Sequence, residues 1–384
     1  MACCSKYSFL WFIIRILGID VLNDKRSHDE RNFLRKFCNK VIELLFPFVM
    51  YAILLYSILS WALLLKHKLA TPEVMISFLT TSLISVALWH DIRKKRNLIK
   101  KLILKCQQVA SHLQATNQNL NPVINSTLVL AILIPALLAA FYGLIESETS
   151  VEYKMYYSFF LLLEDDSVTS VSIRTMIIFF SFFLAFTLPS LIGILVCRLY
   201  YIVGELFEDL HAKIKTVLKA NSHHNEILNL FEFYCMLYKV AHKIERAISL
   251  TTFLLLCCQW LNTYIVLVSF FKMHSASYTS TMYWESAYRL ILSLLILVGI
   301  VLCACKISSH IQGIGKKLQL KLNTLESNAE GNHKSLQLVQ TMLNMKFPQI
   351  TAYGITVLNP SLILSFYGSI LTYGLLMLNL REGN

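Results

Sequence analysis

Charged side chains are scarce in this chain: only 15% of its 384 residues are Asp, Glu, Lys or Arg, against about a quarter in ordinary globular proteins. With 56% hydrophobic and 12% aromatic residues, the apolar surplus would overfill one soluble core and must face lipid. Enzymatic constellations are missing as well. Gly313-Ile314-Gly315-Lys316-Lys317 lacks both the first glycine at phosphate-loop distance and a Ser or Thr after the lysine. His223-His224 and the scattered histidines have no metal-ligand partners at suitable spacing. No catalysis, cofactor or metal is expected. A disulfide framework is also excluded, because the ten cysteines fall in predicted spans or cytoplasmic segments. Cys257-Cys258 and Cys303/Cys305 read as small core hydrophobes, and Cys3 and Cys4 are candidates for acylation. No secretory signal is read, since Arg15 interrupts the apolar stretch Phe9–Ile19 and no small-residue cleavage site follows. That stretch is too short to span and is expected at the interface. There are no repeats, no long low-complexity tracts and no linker to a separate domain.

What is present is a series of apolar segments near the roughly twenty residues that a membrane crossing needs. Seven qualify: Val41–Leu65, Pro72–Trp89, Val123–Ile145, Ser172–Cys197, Ile248–Phe271, Tyr288–Cys305 and Gly354–Leu380. The second is the weakest, and Met155–Leu163 is read as a loop touching the bilayer. The net charge of +12 could indicate nucleic acid, but its distribution indicates topology instead. The N-terminal segment, Trp89–Pro122, Leu199–Ala247 and Lys306–Thr351 carry 8, 7, 6 and 6 Lys or Arg, which is 27. The alternate connections and the C-terminus carry 2, 1, 1 and 1, which is 5; Arg174, Arg198 and Arg289 stand at span edges. The expectation is an all-α, seven-span bundle with a cytoplasmic N-terminus and an extracellular C-terminus. The sequon Asn125-Ser126-Thr127 then lies inside, where it escapes modification.

The two long inside connections are not loose. Ile227, Phe231, Tyr234, Tyr238, Ala241, Ile244 and Ile248 recur at helical spacing, and Ile311, Ile314, Leu318, Leu322 and Leu325 repeat the pattern more weakly. The fourth, fifth and sixth helices are expected to continue into the cytoplasm and pack there. Asn359-Pro360 would break the seventh near its beginning, giving a cytoplasmic piece from about Leu336 and a membrane piece after Pro360. Glu164-Asp165-Asp166 reads as a solvated outside turn. Around a shared pore, the six acids between Glu146 and Asp166 would attract cations to its mouth.

The last span holds no charge between Gly354 and Leu380. At 100° per residue, Ser361, Ser365, Gly368, Thr372 and Asn379 fall within about 60° of one another, with Leu375 and Leu376 beside them. Two readings stay open from the pattern alone: close packing of helices through small residues, or a water-facing pore stripe with an apolar constriction.

Thr372-Tyr373, five apolar residues and Asn379-Leu380 resemble the signature of insect gustatory receptors, Thr-Tyr, five apolar residues, Gln-Phe. Arg15-Ile16-Leu17-Gly18 and Leu358–Leu364 are also similar to that family. The resemblance implies a homotetrameric, non-selective cation channel, or a heterotetramer with other receptors, with no nucleic-acid partner. Residues 1–353 would then form a six-helix ligand-binding bundle with a cytoplasmic anchor, and 354–384 the pore-lining helix. It assigns Asn379 and Leu380 to the gate, completed by Leu376 and preceded by Ser365, Thr372 and Tyr373. It places a small-molecule tastant in the outer half of the bundle. Aromatic and polar candidates at that depth are Tyr142, Phe179, Phe182, Trp260, Tyr264, Trp284 and Tyr288. Trp284 and Tyr288 also fit the aromatic belt of any membrane protein. Gly374 stands where sugar-sensing members carry an acid, which points to a bitter or orphan branch. A G-protein-coupled receptor is disfavoured because no Asp-Arg-Tyr follows the third span and the topology is inverted. The remaining alternative is an accessory receptor subunit or a transporter without its own pore; a transporter is disfavoured because pseudo-repeats and intramembrane charges are not seen.

Overall fold

The computed structural model describes residues 32–67, 72–113, 121–144, 168–219, 224–272, 280–327 and 333–382. Helices α1 (Asn32–Lys66), α2 (Pro72–Leu113) and α3 (Asn121–Leu144) lead to α4 (Val168–Phe182). A π-helical turn at Phe183–Thr187 joins α4 to α5 (Leu188–Lys219). Then follow α6 (His224–Lys272), α7 (Ser280–Ser327), the short α8 (His333–Asn344), strands β1 (Thr351–Ala352) and β2 (Thr356–Val357), and α9 (Pro360–Glu382). Five helical stretches are long and apolar enough to cross a membrane: those of α1, α2, α4–α5, α6 and α7. Two shorter apolar stretches, Ser126–Tyr142 of α3 and Pro360–Leu376 of α9, complete a seven-helix bundle.

The helices overrun the apolar segments, as the amphipathic extensions predict. At 1.5 Å per residue, the 49 residues of α6 make a rod of roughly 74 Å, against a hydrocarbon core of about 30 Å. Tyr234, Ala241, Ile244 and Ile248 are buried on one face of it, and Ile314, Leu318 and Leu325 are buried on α7. The second span also runs on without a break to Leu113, carrying the basic run Arg93–Lys105 on its extension. The helices pair as α5 with α7 and α2 with α6. Gly193 lets α5 and α7 approach so closely that a Cβ there would meet Ile296 Cγ2 at 2.7 Å. Gly313, which superficially resembled part of a phosphate loop, lies inside α7, where a Cβ would meet His211 Cε1 at 2.7 Å. The π turn has a local cause. Pro189 has no N–H to offer a preceding carbonyl, and the Leu188 N–H bonds instead to the Phe183 carbonyl five residues back.

Two expectations for the last span are corrected. Gly354 does not begin a helix but sits in a β-turn: Tyr353 and Gly354 have φ of 56° and 69°, and the Ile355 N–H donates to the Ala352 carbonyl at 3.1 Å. Thr351 pairs with Val357 and Ala352 with Thr356. The seventh helix is in two pieces as expected, α8 beginning at His333 and α9 at Pro360, but Asn359-Pro360 starts the second piece rather than interrupting a continuous helix. The Asn359 side-chain oxygen accepts from the Leu362 N–H at 3.3 Å, and proline occupies the first helical position, where no donor is needed. The cysteines whose side chains are described are free. Cys258, 4.0 Å from the Ser85 hydroxyl, is buried in the core as read, whereas Cys257, Cys303 and Cys305 are only half-buried. The Phe9–Ile19 stretch, Cys3, Cys4, Arg15–Gly18, Met155–Leu163 and Glu146–Asp166 lie outside the described residues.

Candidate functional site

Two places in this bundle carry chemistry. The first lies where α3 ends and α7 begins, at the end of the bundle opposite the long helical extensions. Ala139 and Tyr142 of α3, Ile178 and Phe182 of α4 and Phe186 of the π turn bury one another in a satellite core. Phe179 and Tyr288 pack partly buried against it. The Tyr142 ring meets the edge of Phe182 with centroids 5.7 Å apart, and Phe182 lies 5.4 Å from Phe186. The π turn contributes here through its fourth residue, Phe186, whose ring closes the cluster.

An ion pair sits against these rings. Glu285 and Arg289, one turn apart on α7, are 8% and 6% exposed and share a direct hydrogen bond. The Tyr142 hydroxyl donates to the other Glu285 oxygen at 2.7 Å. The Arg289 guanidinium lies over Phe186 at 4.1 Å and Phe78 at 4.9 Å, so two ring faces contact a charge that cannot deprotonate. The expected absence of intramembrane charges is thereby corrected. Glu285 is not in an outside loop, Arg289 is not at a span edge facing water, and Arg174 of α4 and Asp91 of α2 are buried too. Asp91 accepts from Thr251 of α6 at 2.7 Å and pairs with Lys95 at 3.0 Å.

The sequence-predicted aromatic candidates separate into two groups. Tyr142, Phe179, Phe182 and Tyr288 come together, and Tyr288 turns inward rather than joining a belt. Trp284 is 71% exposed, consistent with the belt. Trp260 does not line the cluster: it is 49% exposed and its ring meets Phe366 of α9 at 6.1 Å. Tyr264 is half-buried on α6 and is not part of the cluster.

The second place is α9. Its own chain covers one side only, around Phe366, with Ile363, Ile370 and Gly374 half-buried. Ser361, Ser365, Gly368 and Thr372 are all exposed, on the side of the helix about 140–200° away from the covered one. A Cβ at Gly368 would meet nothing within 4 Å. The Thr372 hydroxyl donates to the Gly368 carbonyl at 2.8 Å, so it is satisfied within the helix. Tyr373 and Leu376 are 52% and 53% exposed. The helix continues through Asn379 and Leu380, whose side chains lie outside the described ones.

The hairpin ties α9 to the extension of α6. Glu245 accepts from the Thr351 hydroxyl and, at 3.2 Å, from the Thr351 N–H. Ser249 donates to the Thr351 carbonyl at 2.9 Å and accepts from the Tyr353 N–H at 2.7 Å. Upstream, Phe347 packs among Phe207, Tyr234 and Tyr238 with centroids 4.9 to 5.8 Å apart. Nearby, Lys306 of α7 pairs with Glu208 of α5 at 2.7 Å and holds that carboxyl below its usual range. His211 and His310 face each other with Nδ1 atoms 3.3 Å apart, and burial holds both below the ordinary imidazole value.

The chain is similar to a solved insect olfactory receptor, OR5 from Machilis hrabei in complex with eugenol, at 15% identity and a TM-score of 0.62 over 98% of each chain. It is similar also to a second structure of that receptor, at 15% identity and a TM-score of 0.59 over 99% of each chain. No curated protein matches its sequence. The model of the 7tm chemosensory receptor family matches residues 10–379. A match of that extent, on a seven-helix bundle with this architecture, makes the chain a member of the 7tm chemosensory receptor family.

Proposed function

We propose that this chain is a gustatory-type chemoreceptor, a tastant-gated, non-selective cation channel of the plasma membrane in gustatory receptor neurons. Four copies, of this chain alone or with other receptors, would surround one pore. The N-terminus is cytoplasmic and the C-terminus extracellular, as the 27-to-5 distribution of Lys and Arg requires. Residues 1–353 bind ligand and anchor the assembly, and residues 354–384 conduct. The observation that carries this reading is the uncovered stripe on α9. A helix of 23 residues reaches roughly 35 Å, enough to cross the bilayer core, and its small and hydroxylated side points away from its own bundle. Lipid has no use for that side, whereas water and three further copies do.

In this reading Ser365, Thr372 and Asn379 face the pore, while Leu376 and Leu380 form the constriction beside Tyr373. A small ligand binds in the cluster of Tyr142, Phe179, Phe182 and Tyr288, and biases opening only by as much as it prefers the open state. The Trp260–Phe366 contact links that bundle to α9 directly, and the Glu245–Thr351 hydrogen bonds link it through the hairpin. Gly374 in place of an acid favours a bitter or orphan branch. The test is expression of the full chain alone in oocytes. Tastant-evoked cation current that persists when G-protein signalling is blocked, and that changes in Asn379→Ala, supports the channel. Current that needs G-protein signalling, or a tag at Asn384 reachable only after permeabilisation, removes it.

A further inference from the structure

Buried polar atoms in a folded protein almost always find partners, because an unpaired donor forfeits its hydration. Around the outer aromatic cluster two do not. The Tyr288 hydroxyl and Arg289 Nε are buried without a hydrogen-bond partner. They occupy neighbouring positions at the start of α7, against the rings of Phe182, Phe186 and Tyr142. The other polar groups of the site are already engaged. Both Glu285 oxygens accept, one from Arg289 and one from Tyr142, and the pair balances its own charge. The unmet demand is therefore for a hydrogen-bond acceptor, not for a charge.

We propose that this receptor selects neutral, aromatic-sized ligands that carry one accessible acceptor oxygen (a ketone, ester or ether) and discriminates against protonated amines. The inference rests on the reading that the outer cluster is the ligand site. The aromatic walls reward an apolar body. The oxygen takes the hydrogen bond that Tyr288 lacks. An ammonium is penalised because it offers donors where donors are already in excess, and because the balanced Glu285–Arg289 pair leaves no net negative charge to repay its desolvation.

Three probes of one skeleton separate these terms: acetophenone, ethylbenzene and 1-phenylethylamine, which is protonated at neutral pH. Each is titrated against the purified full chain in detergent, with binding read by the upward shift of its thermal transition. Acetophenone is expected to bind about tenfold more tightly than ethylbenzene, the yield of one recovered hydrogen bond, and 1-phenylethylamine is expected to bind least. Tyr288→Phe should abolish the preference for acetophenone while leaving ethylbenzene unchanged. The transition of the unliganded variant should not fall, since the lost hydroxyl had no partner. Equal binding of ketone and hydrocarbon, tighter binding of the amine, no binding of acetophenone, or a Tyr288→Phe variant that keeps the preference would each overturn the proposal. Current is recorded separately. Acetophenone that binds through Tyr288 but evokes none would refute the channel reading and leave the ligand selectivity standing.

Discussion

Removing the carboxylate of Glu285 is the sharpest test of the polar core of the outer cluster. In Glu285→Leu the Arg289 guanidinium stays 6% exposed with no anion beside it, and the Tyr142 hydroxyl loses its acceptor. The two partners are not equivalent. A stranded carboxylate can be neutralised by a proton. A stranded guanidinium has no such escape, because it keeps its charge in proteins, and an uncompensated buried charge costs several kcal/mol. The ring faces of Phe78 and Phe186 return part of this, on the order of 1–2 kcal/mol. Glu285→Leu should therefore destabilise by about 3–5 kcal/mol, and Arg289→Met by less. The double variant should lie close to the parent, since an apolar pair of similar volume replaces a buried ion pair at little net cost. Unfolding in mixed micelles, followed by tryptophan fluorescence, gives all four corners of the cycle. Additive effects, or a Glu285→Leu cost below about 1 kcal/mol, would show that the pair is hydrated and that the cluster is open to water.

Three further outcomes follow from particular contacts. Gly193→Ala should cost about 1–3 kcal/mol, because its Cβ would lie 2.7 Å from Ile296 Cγ2, a branch at Cβ that cannot swing aside; adding Ile296→Leu should recover most of it in the same unfolding assay. Asn359→Ala removes the side-chain cap of α9 but leaves the Asn359 carbonyl accepting from the Leu362 N–H at 3.0 Å, so hydrogen exchange should show the first turn of α9 only about two- to fivefold less protected, with α6 unaffected. The third concerns acid. Burial lowers His211 and His310, with Lys215, Lys306 and Lys317 adding to the effect and only Glu208 opposing it at His310. Groups held neutral in the folded state contribute stability that is intact above the ordinary imidazole value near 6.5 and is lost as pH falls below it. A second proton would set two N–H groups against each other across 3.3 Å. Stability should decline as pH falls below about 6.5, and His310→Asn should flatten that decline.

Much of this architecture is legible because periodicity survives averaging. Ile227 to Ile248 repeat at helical spacing, and that face is the one buried in the extension of α6. The start of the last helix was readable from two residues, although their effect was inverted: with Asn before it, Pro360 caps rather than breaks. The hairpin between α8 and α9 was not readable, since strands of two residues carry no alternation and the turn uses Tyr-Gly instead of the usual Asn-Gly. Glu285 and Arg289 were missed for a physical reason. A hydropathy window and a positive-inside count treat each charge singly, so two opposite charges one turn apart read as an outside acid and a span-edge base. Their i, i+4 spacing beside Tyr288 was the available signal. That Trp260 faces Phe366 rather than the outer cluster was not readable, because depth along a helix does not say which way a side chain faces.

The bare side of α9 has a genetic corollary. In the proposed four-copy channel, a surface completed by sister subunits would make every mature receptor a mosaic of whichever alleles a cell transcribes. A lesion on that side, such as a bulky replacement at Gly368, would be inherited as a dominant trait, because each defective copy spoils its healthy neighbours. A lesion at Tyr288, confined to one bundle, would leave the remaining subunits able to respond and would behave as a recessive or dosage-dependent one.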